Sequence, residues 1–314
     1  MQVADRVGRR IKLQDLNILM TVVQTGSMLK AAERLNTAQP AISRSIAELE
    51  HVLGVRLLDR HRKGVEPTEY GRALLDCGAT VFDALRQGVK SIEFLADAEA
   101  GEVRIGAIAP LALGFVTAVI DRLSRRYPRI VVHLVSKNTD ALHRELSERN
   151  VDLLIGRRFS PIADERQDFE PLFEDPYVVA ASTQNPWTRR RKVALSDLVN
   201  ELWALPGLES PPWSAAMEAF RASGLDYPRT TVFTALPDVR MRLMATGRFL
   251  AIFPASALRF STTRTDFKVL PVELPLARTE IGVVILKNRT LSPAARLFIE
   301  LAREVAKPLA KEKR

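Results

Sequence analysis

The chain has 314 residues, of which 46% are hydrophobic and 26% charged, a composition typical of a globular protein with two domains or more. Its single cysteine and four histidines exclude a disulfide framework and offer little for a metal site, so we expect a cytoplasmic protein without a cofactor. We expect no signal peptide and no membrane span, because the longest uncharged run, 105–120, is shorter than the roughly 20 residues that a bilayer requires.

The net charge of +9 suggests an anionic partner, but it does not locate one. Residues 1–100 carry 14 lysines and arginines against 13 acidic residues, so the excess of positive charge lies further along the chain. A local group of basic residues is more informative, and it consists of Arg56, Arg60, Arg62 and Lys63.

Taken in order, the chain starts with a basic arm over residues 1–12 and a helix over 13–24 that Gly26 ends. Two short helices then follow between residues 27 and 53. Ser27 is suited to cap the first of them and Thr37 to cap the second, in whose first turn Pro40 is tolerated. In the second helix one apolar stripe recurs at helical spacing, formed by Ile42, Ile46, Leu49 and Leu53.

The opposite face of that second helix offers Gln39, Ser43, Arg44 and Glu48. A short helix pair with hydrogen-bonding side chains at the start of its second member is typical of a helix-turn-helix, whose second helix enters the major groove of DNA. There glutamine pairs with adenine and arginine with guanine. An αα-hairpin in an ordinary helical domain remains the alternative.

Beyond Gly54, a glycine typical of a helix end, the segments 55–58 and 65–67 flank the letters DRHRKG and predict a small hairpin. Beside a recognition helix such a hairpin is a wing that contacts phosphates, although a solvated basic loop would look the same. The candidate DNA-binding residues are therefore Ser27, Thr37, Gln39, Pro40, Ser43, Arg44, Arg60, Arg62 and Lys63.

A long helix is predicted from Thr68 to about Ala98. Its apolar positions alternate steps of four and three, which favours pairing with another helix, most simply its copy in a second subunit. A helix that packs on its own domain would show the same stripe. The candidate dimerisation residues are Leu74, Val81, Leu85, Ile92 and Leu95.

After a short hinge at 98–101, strands and helices alternate. Strands over 103–108, 130–135 and 151–156 enclose helices over 111–126 and 139–149, and this βαβαβ order predicts a parallel sheet with covering helices. Further strands and helices continue the mixture to the end of the chain.

These motifs resemble those of a known family. The chain resembles the LysR-type transcriptional regulators most densely over 13–71, and more loosely over 101–307 through the segments IGAIAP, SKNTDAL, VDLLIGRR and TGRFLAIFP. The matching residues of the dense region are Leu16, Gly26, Ser27, Ala31, Ala32, Leu35, the run 37–44, Ile46, Leu49, Glu50, Leu53, Gly54, Leu57, Arg60, Thr68 and Gly71.

The resemblance implies a fold that is α+β and α/β. Its parts are a winged helix-turn-helix domain over 1–67, a linker helix and hinge over 68–100, and a two-lobed effector domain like a periplasmic solute-binding protein. Lobe I would comprise 101–160 and 268–314, and lobe II 161–267, with crossovers at 159–161 and 266–270.

The resemblance also implies a ligand in the cleft between these lobes, outside the carboxyl ends of the strands. Helix starts there favour anions, and Thr139 is suited to cap its helix, with Lys137 or Arg157 supplying charge. Polar residues at strand ends also serve simply to satisfy the backbone. The candidate effector-binding residues are Ala109, Pro110, Leu111, Lys137, Asn138, Thr139, Gly156, Arg157, Pro206, Gly207, Thr234 and Leu236.

The function that follows is a ligand-responsive bacterial regulator without enzymatic activity. Its expected partners are double-stranded promoter DNA, a small anionic effector, its own copies in a homodimer or homotetramer, and RNA polymerase. The alternative is a cytoplasmic small-molecule-binding module that does not read DNA. An enzyme ranks last, because no phosphate-binding glycine loop, HExxH, GxSxG or Cys-His pair is present in the sequence.

Overall fold

A computed structural model describes residues 10–61, 64–158, 165–208, 211–228, 230–260, 264–276 and 278–310. The chain forms two compact units, Met1–Gly88 and Val89–Arg314. Within the described ranges, no helix is long and apolar enough to cross a membrane.

The N-terminal unit is built on three helices and a hairpin. Its elements are α1 (Leu13–Thr25), α2 (Met28–Arg34), α3 (Gln39–Leu53), β1 (Leu58–His61) and β2 (Gly64–Pro67), followed by the long helix α4 (Glu69–Ala96). The buried side chains of α1, α2 and α3 form one core with Leu57 and Leu58 at the start of the hairpin. The predicted helix-turn-helix is therefore present, and its two helices share a core with α1.

The turns of this unit follow from local chemistry. Ser27 caps α2, since its hydroxyl accepts a hydrogen bond from Lys30 N, and Gly54 ends α3 in the left-handed conformation at φ 72°. The prediction that Thr37 caps α3 is wrong. The N-cap residue is Ala38, which provides no side-chain oxygen, and Pro40 in the first turn instead favours the start of the helix because its ring fixes φ.

The hairpin lies later than predicted. The sequence predicts its first strand over 55–58, whereas β1 begins at Leu58 and pairs with β2 through His61 opposite Gly64. Asp59 and Arg60 are thus strand residues rather than turn residues. The apolar residues that suggested an earlier strand precede the paired region, and Leu57 is buried as part of the core of the unit.

The second unit consists of helices and strands arranged on two sheets. In chain order its elements are β3 (Ala100–Ala107), α5 (Ala109–Leu111), a π-helical turn (Ala112–Val116), α6 (Thr117–Arg126), β4 (Arg129–Val135), α7 (Thr139–Ser147), β5 (Leu153–Arg157), β6 (Gln167–Asp175), β7 (Tyr177–Ser182), β8 (Leu202–Leu205), α8 (Pro211–Ala222), β9 (Thr230–Phe233), α9 (Pro237–Ala245), β10 (Phe249–Pro254), α10 (Ala255–Arg259), β11 (Phe267–Val269), β12 (Thr279–Leu286) and α11 (Pro293–Ala310).

The first lobe has the sheet order β4-β3-β5-β12-β6, in which β3, β4 and β5 are parallel as the βαβαβ pattern predicts. Leu153 and Ile155 of β5 face a core formed with α6 and α11, whereas Leu154 faces α7 on the other side. Both faces of the sheet are therefore covered by helices, which explains the continuous apolar runs of its strands.

The second lobe has the sheet order β11-β7-β10-β8-β9. The helix α8 covers one face, where Trp203 and Phe220 meet edge to face with ring centroids 5.6 Å apart. The helices α9 and α10 cover the other face through Met241, Met244 and Leu258.

The change between lobes lies elsewhere than predicted. Residues 159–161, the first predicted crossover, fall among 159–164, outside the described residues. The strand β6 still belongs to the first sheet through its pairing with β12, so the chain changes sheet at Pro176, between β6 and β7. The second predicted crossover, 266–270, contains β11, which pairs with β7 in the second sheet. The strand β6 belongs to the first sheet, and the residues from Leu270 to Leu276 still pack on the core of the second lobe. The lobe limits at 160 and 268 are therefore corrected to about 176 and 276.

Candidate nucleic-acid interface and ligand cleft

The first turns of α3 present polar side chains opposite its buried stripe. Gln39, Pro40 and Arg44 are exposed and Ser43 is half-buried. The side-chain amide of Gln39 donates to Ser43 Oγ at 3.1 Å, and Ser43 Oγ lies 3.3 Å from Met28 Sδ. Glutamine and arginine side chains on one exposed helix face have the donors and acceptors that read base edges in the major groove.

The cations of this surface are free to meet an anion. Neither Arg44 nor Arg60 has an ion-pair partner among the residues that the structure describes. Arg60 lies on β1 opposite Val65 and is exposed. The predicted wing residues Arg62 and Lys63 fall outside the described part of the chain.

Three interactions that the sequence did not reveal hold the helix pair and the wing in place. Asp15 Oδ1 accepts from Ser45 Oγ at 2.7 Å and so connects α1 to α3. Glu50 Oε1, on α3, accepts from Leu57 N at 2.7 Å and from Leu58 N at 3.2 Å. The carbonyl oxygen of Gly26, at the end of α1, accepts from Val65 N of β2 at 3.0 Å. The wing is thus fixed relative to α3 by its backbone.

In the second unit, the strand directions determine which residues lie at the ends of the strands in each sheet. The strand β6 runs parallel to β5, because both are antiparallel to β12, so Arg157 and Asp175 lie at the same edge of the first sheet. In the second sheet the register places Tyr177, the first residue of β7, opposite Pro254, the last of β10. Ligands of α/β lobes bind outside such carboxyl ends.

Two polar contacts join the lobes at these edges. The guanidinium of Arg157 donates through Nη1 to the Tyr177 hydroxyl and lies over the Tyr177 ring, with Cζ 4.5 Å from the centroid. The carboxylate of Asp175 accepts from Ser256 N at 2.9 Å and from Ser256 Oγ at 2.7 Å. Asp175, Tyr177 and Ser256 were not predicted as site residues.

A second buried arginine belongs to the same region. Arg240 on α9 donates through Nη1 to the carbonyl oxygen of Ile252 at 2.9 Å, and its Cζ lies 4.5 Å from the centroid of Phe253. Burial lowers the pKa of Arg240 to about 10. Burial raises the pKa of the Tyr177 phenol, because the ionised form is unfavourable in the interior, and the positive charge of Arg157 acts in the opposite direction. No sequence signal marks Arg240, because an arginine in a polar helix is ordinarily exposed.

Two regions of the sequence match known protein families. Residues 13–72 match the family described as bacterial regulatory helix-turn-helix proteins of the lysR family, and residues 96–307 match the LysR substrate binding domain. The chain belongs to the LysR family. LysR-family members are DNA-binding transcriptional regulators with an effector-binding domain rather than enzymes.

Individual relatives agree with this membership over nearly the whole chain. The transcriptional regulator GbpR of Azospirillum brasilense is 26% identical over 295 residues, covering 94% of this chain and 86% of that protein. The regulator TdcA of Escherichia coli K12 is 25% identical over 293 residues, covering 93% of each.

Solved structures share the LysR fold. A full-length OxyR variant from Pseudomonas aeruginosa has a TM-score of 0.65 at 22% identity, and the match covers 97% of this chain and 99% of the OxyR chain. CbnR in complex with its target DNA has a TM-score of 0.59 at 20% identity, with coverages of 94% and 100%.

On the first lobe of this LysR-family chain, the predicted effector residues differ in access. Ala109 and Pro110 are half-buried at the start of α5, whereas Leu111 is fully buried in the lobe core and so has no surface for a ligand. Lys137 is paired with Glu145, and this hydrogen bond lowers the pKa of the Glu145 carboxyl. The expected cation at this position is therefore already neutralised.

The capping prediction at the next position is wrong. Asn138, not Thr139, caps α7, since its Oδ1 accepts from Ala141 N at 2.9 Å. The Thr139 side chain is half-buried and is not needed for the cap. Gly156 is also half-buried, and it lies opposite Gly282 in the middle of the sheet.

On the second lobe the predicted residues form two neighbouring loops. A side chain at Gly207 would come 3.4 Å from Ala235 N, so the loop after β8 lies against the loop after β9. Thr234 Oγ1 accepts from Leu236 N at 3.1 Å, and Leu236 is exposed. Pro206 is buried, so its side chain has little surface for a ligand.

Proposed function

We propose that this LysR-family regulator reads promoter DNA through α3 and contacts phosphates through the β1–β2 wing. The observation that carries the proposal is the exposed pair Gln39 and Arg44 at the start of a helix whose opposite stripe is buried. Ser27 and Thr37, in the turns that flank α2, are suited to phosphate contacts, as are the cations of the wing. Because its target is promoter DNA, the protein acts in the bacterial cytoplasm, and DNA binding needs no cofactor.

The protein further acts as a homodimer or homotetramer through α4. Its apolar stripe is increasingly exposed along the helix, since Leu74 and Val81 are half-buried whereas Leu85, Ile92 and Leu95 are exposed. An exposed apolar seam at heptad spacing on a long helix is covered most simply by its own copy. Once bound to a promoter, such an oligomer regulates transcription by contacting RNA polymerase.

A small anionic metabolite in the cleft between the lobes controls this activity. The support is chemical: Arg157 and Arg240 are both buried beside the strand ends where α/β lobes bind ligands. The effector changes DNA binding only if it prefers one arrangement of the subunits over another. A small-molecule-binding module without a DNA-reading role is the second candidate, and only the cleft supports it.

The test is selection of bound sequences from genomic fragments by the purified protein and by Arg44→Ala. Loss of one bidentate base contact removes roughly 1–3 kcal/mol of sequence preference, so the variant should enrich a relaxed motif. Arg125→Ala is the matched control, because Arg125 is an exposed arginine on α6. Equal motifs from wild type and Arg44→Ala would rule out α3 as the base reader. The enriched fragments also identify the neighbouring genes.

A further inference from the structure

A run of consecutive basic residues follows the strand β7 of the second lobe. The run consists of Arg189, Arg190, Arg191 and Lys192, all of them exposed. None of these side chains has a carboxylate partner among the residues that the structure describes. Exposed arginines of the first lobe are often paired, since Arg158 lies 2.8 Å from a carboxylate oxygen of Glu280. Arg303 likewise lies 2.6 Å from Glu170. The charge of the run is therefore available to a partner.

The segment that carries the run is held against its lobe. The Asn185 side chain accepts from Trp187 N at 3.1 Å and donates to the carbonyl oxygen of Gly247 at 3.0 Å. The Thr188 hydroxyl donates to the carbonyl oxygen of Asn185 at 2.7 Å. Beyond the run, Val193 is buried in the lobe core. Because both ends of the segment are fixed, binding a partner requires little ordering of its backbone.

Cations from two other segments lie beside the run. Arg248 is exposed and directly follows Gly247, the residue that Asn185 bonds. The Lys268 ammonium donates to the carbonyl oxygen of Thr188 at 2.6 Å, immediately before the run. The segment 183–196 contains no acidic residue. We call this set the basic surface, and its members are Arg189, Arg190, Arg191, Lys192, Arg248 and Lys268.

The basic surface lies at the edge of the second sheet that is opposite the cleft. The register pairs Tyr177, the first residue of β7, with Pro254, the last of β10, so β7 ends where β10 begins. The strand β8 is parallel to β10, with Leu202 opposite Phe249, and so begins at the same edge. Ligands of α/β lobes bind at the other, carboxyl ends of such strands. The basic surface is therefore separate from the effector cleft.

The chemistry of the basic surface favours a phosphate backbone over a protein. The segments that form it, 183–192, 247–248 and 266–268, expose no large apolar side chain. Protein interfaces ordinarily have an apolar core from which charged residues are depleted. Contacts to DNA phosphates are instead made by arginine and lysine, and the planar guanidinium binds phosphate oxygens two at a time.

We propose that the basic surface of the second lobe binds the phosphate backbone of duplex DNA, outside the bases that α3 reads. This inference goes beyond the proposed function, which assigns the DNA contacts to the N-terminal unit. Phosphate contacts carry no sequence information, so the basic surface adds affinity for any duplex. A second DNA contact on the same chain also strengthens the first, because both then bind one molecule.

The experiment titrates the full chain with two duplexes, the sequence selected by α3 and an unrelated sequence, from about 50 to 200 mM salt. The test variant is Arg189→Gln/Arg190→Gln/Arg191→Gln. Each lost phosphate contact lowers the slope of log affinity against log salt by about 0.9, so the slope should fall by roughly 2–3. Affinity near 100 mM salt should fall by roughly 10-fold or more for both duplexes alike.

Two control variants separate local charge from net charge and from folding. Arg189→Lys/Arg190→Lys/Arg191→Lys keeps every charge, so it should retain the wild-type slope. A second triple variant removes the same charge from exposed arginines of the first lobe and should bind both duplexes as wild type does. It is Arg144→Gln/Arg158→Gln/Arg296→Gln.

Three outcomes would overturn the inference. They are an unchanged slope in the Arg189→Gln/Arg190→Gln/Arg191→Gln variant, an equal loss in the first-lobe variant, and unchanged DNA binding with loss of transcription from the promoter. The last result would assign the basic surface to an acidic protein instead. The proposed function fails separately, because a chain whose motif survives Arg44→Ala but whose slope depends on the run retains the basic surface and loses α3 as the base reader.

Discussion

Asp175 and Ser256 form a buried hydrogen-bonded pair across the two lobes, in which one carboxylate accepts from both the backbone N–H and the hydroxyl of the same serine. Asp175 ends β6 of the first sheet, and Ser256 lies in α10 beside the second. Burial raises the pKa of Asp175 above its ordinary 3.8, although the bonds from Ser256 and the charge of Arg157 oppose that rise. The Asp175 carboxyl therefore makes the stability of the fold depend on pH.

The first prediction concerns Asp175→Asn. A carboxyl group whose pKa is raised on folding binds more protons in the folded state, so stability falls as pH rises from the unfolded pKa near 3.8 through the folded pKa. Asparagine cannot ionise but still accepts from Ser256 N and donates to Ser256 Oγ. The difference in Tm between Asp175→Asn and wild type should therefore grow in favour of the variant as pH rises through that window, and thermal melts from about pH 4 to 8 measure it.

Asp168→Asn is the control, because Asp168 is exposed on the same strand, β6. Its Tm should follow that of wild type at every pH. A constant difference between Asp175→Asn and wild type across the range would show that Asp175 has the same pKa in both states.

The second prediction concerns Arg240→Met without any added anion. Charging Arg240 is unfavourable in the fold, as its pKa of about 10 indicates, and below that pH the full penalty is present. Methionine removes the charge and retains an unbranched side chain over Phe253. The variant should be more stable than wild type by roughly 1–3 kcal/mol in urea unfolding. A less stable variant would show that the bond to Ile252 O outweighs the burial of charge.

The helix-turn-helix was predictable because its information is local. Ile42, Ile46 and Leu49 repeat at helical spacing and are all buried, and Ser27 and Gly54 have capping roles that depend on a few neighbouring residues. Thr37 shows the limit of such reasoning. A threonine at a helix start can cap, but the chain places the N-cap one residue later, at Ala38.

The point at which the chain changes lobe and the burial of Arg157 both depend on pairing between residues that are distant in the sequence. Local sequence patterns do not specify such pairing. The segment QDFEPLFED has no clear alternation, and it becomes the strand β6 because β12, more than a hundred residues later, pairs with it. Arg157 and Arg158 are adjacent residues of the same type, yet Arg157 is buried beside Tyr177 and Arg158 is exposed beside Glu280. Only the tertiary structure separates them.

The third prediction concerns Glu50→Ala. Removing this carboxylate leaves Leu57 N and Leu58 N without their acceptor, which destabilises the N-terminal unit by about 1–3 kcal/mol. Because the wing follows these residues, the affinity for duplex DNA should fall further than the smaller fraction of folded protein would explain. Glu33→Ala, at an exposed position of the neighbouring helix α2, is the control. Unfolding in urea and DNA titration at constant salt measure the two effects, and a variant equal to Glu33→Ala in both would contradict the role of Glu50.

The fourth prediction concerns Gly114→Ala. The π-helical turn that contains Gly114 packs on α10 of the other lobe, and a Cβ there would lie 2.7 Å from Ser256 O and 2.9 Å from Ala257 Cα. Both are backbone atoms, so the two lobes must separate locally, at a cost of about 1–3 kcal/mol. Thermal melts should show a lower Tm. Gly88→Ala is a matched control, because a Cβ at Gly88 meets no described atom within 4 Å, and alanine there should raise helix stability.

The last prediction concerns the exposed seam of α4. Ile92 and Leu95 are 68% and 85% exposed, which is unfavourable unless another subunit covers them. Ile92→Glu would place a carboxylate inside that seam, opposite its own copy, and should weaken self-association at least about 10-fold, because an unpaired buried charge costs more than about 1.4 kcal/mol. Sedimentation velocity over a range of concentrations measures the change.

Glu93→Gln, at the adjacent exposed position, should sediment as wild type does. Since two linked DNA-binding domains bind two half-sites far more tightly than one, Ile92→Glu should also lose affinity for a full promoter site while retaining its affinity for a single half-site. If Ile92→Glu remains associated and binds the full site as wild type does, the seam of α4 is covered by something other than a second copy of the helix.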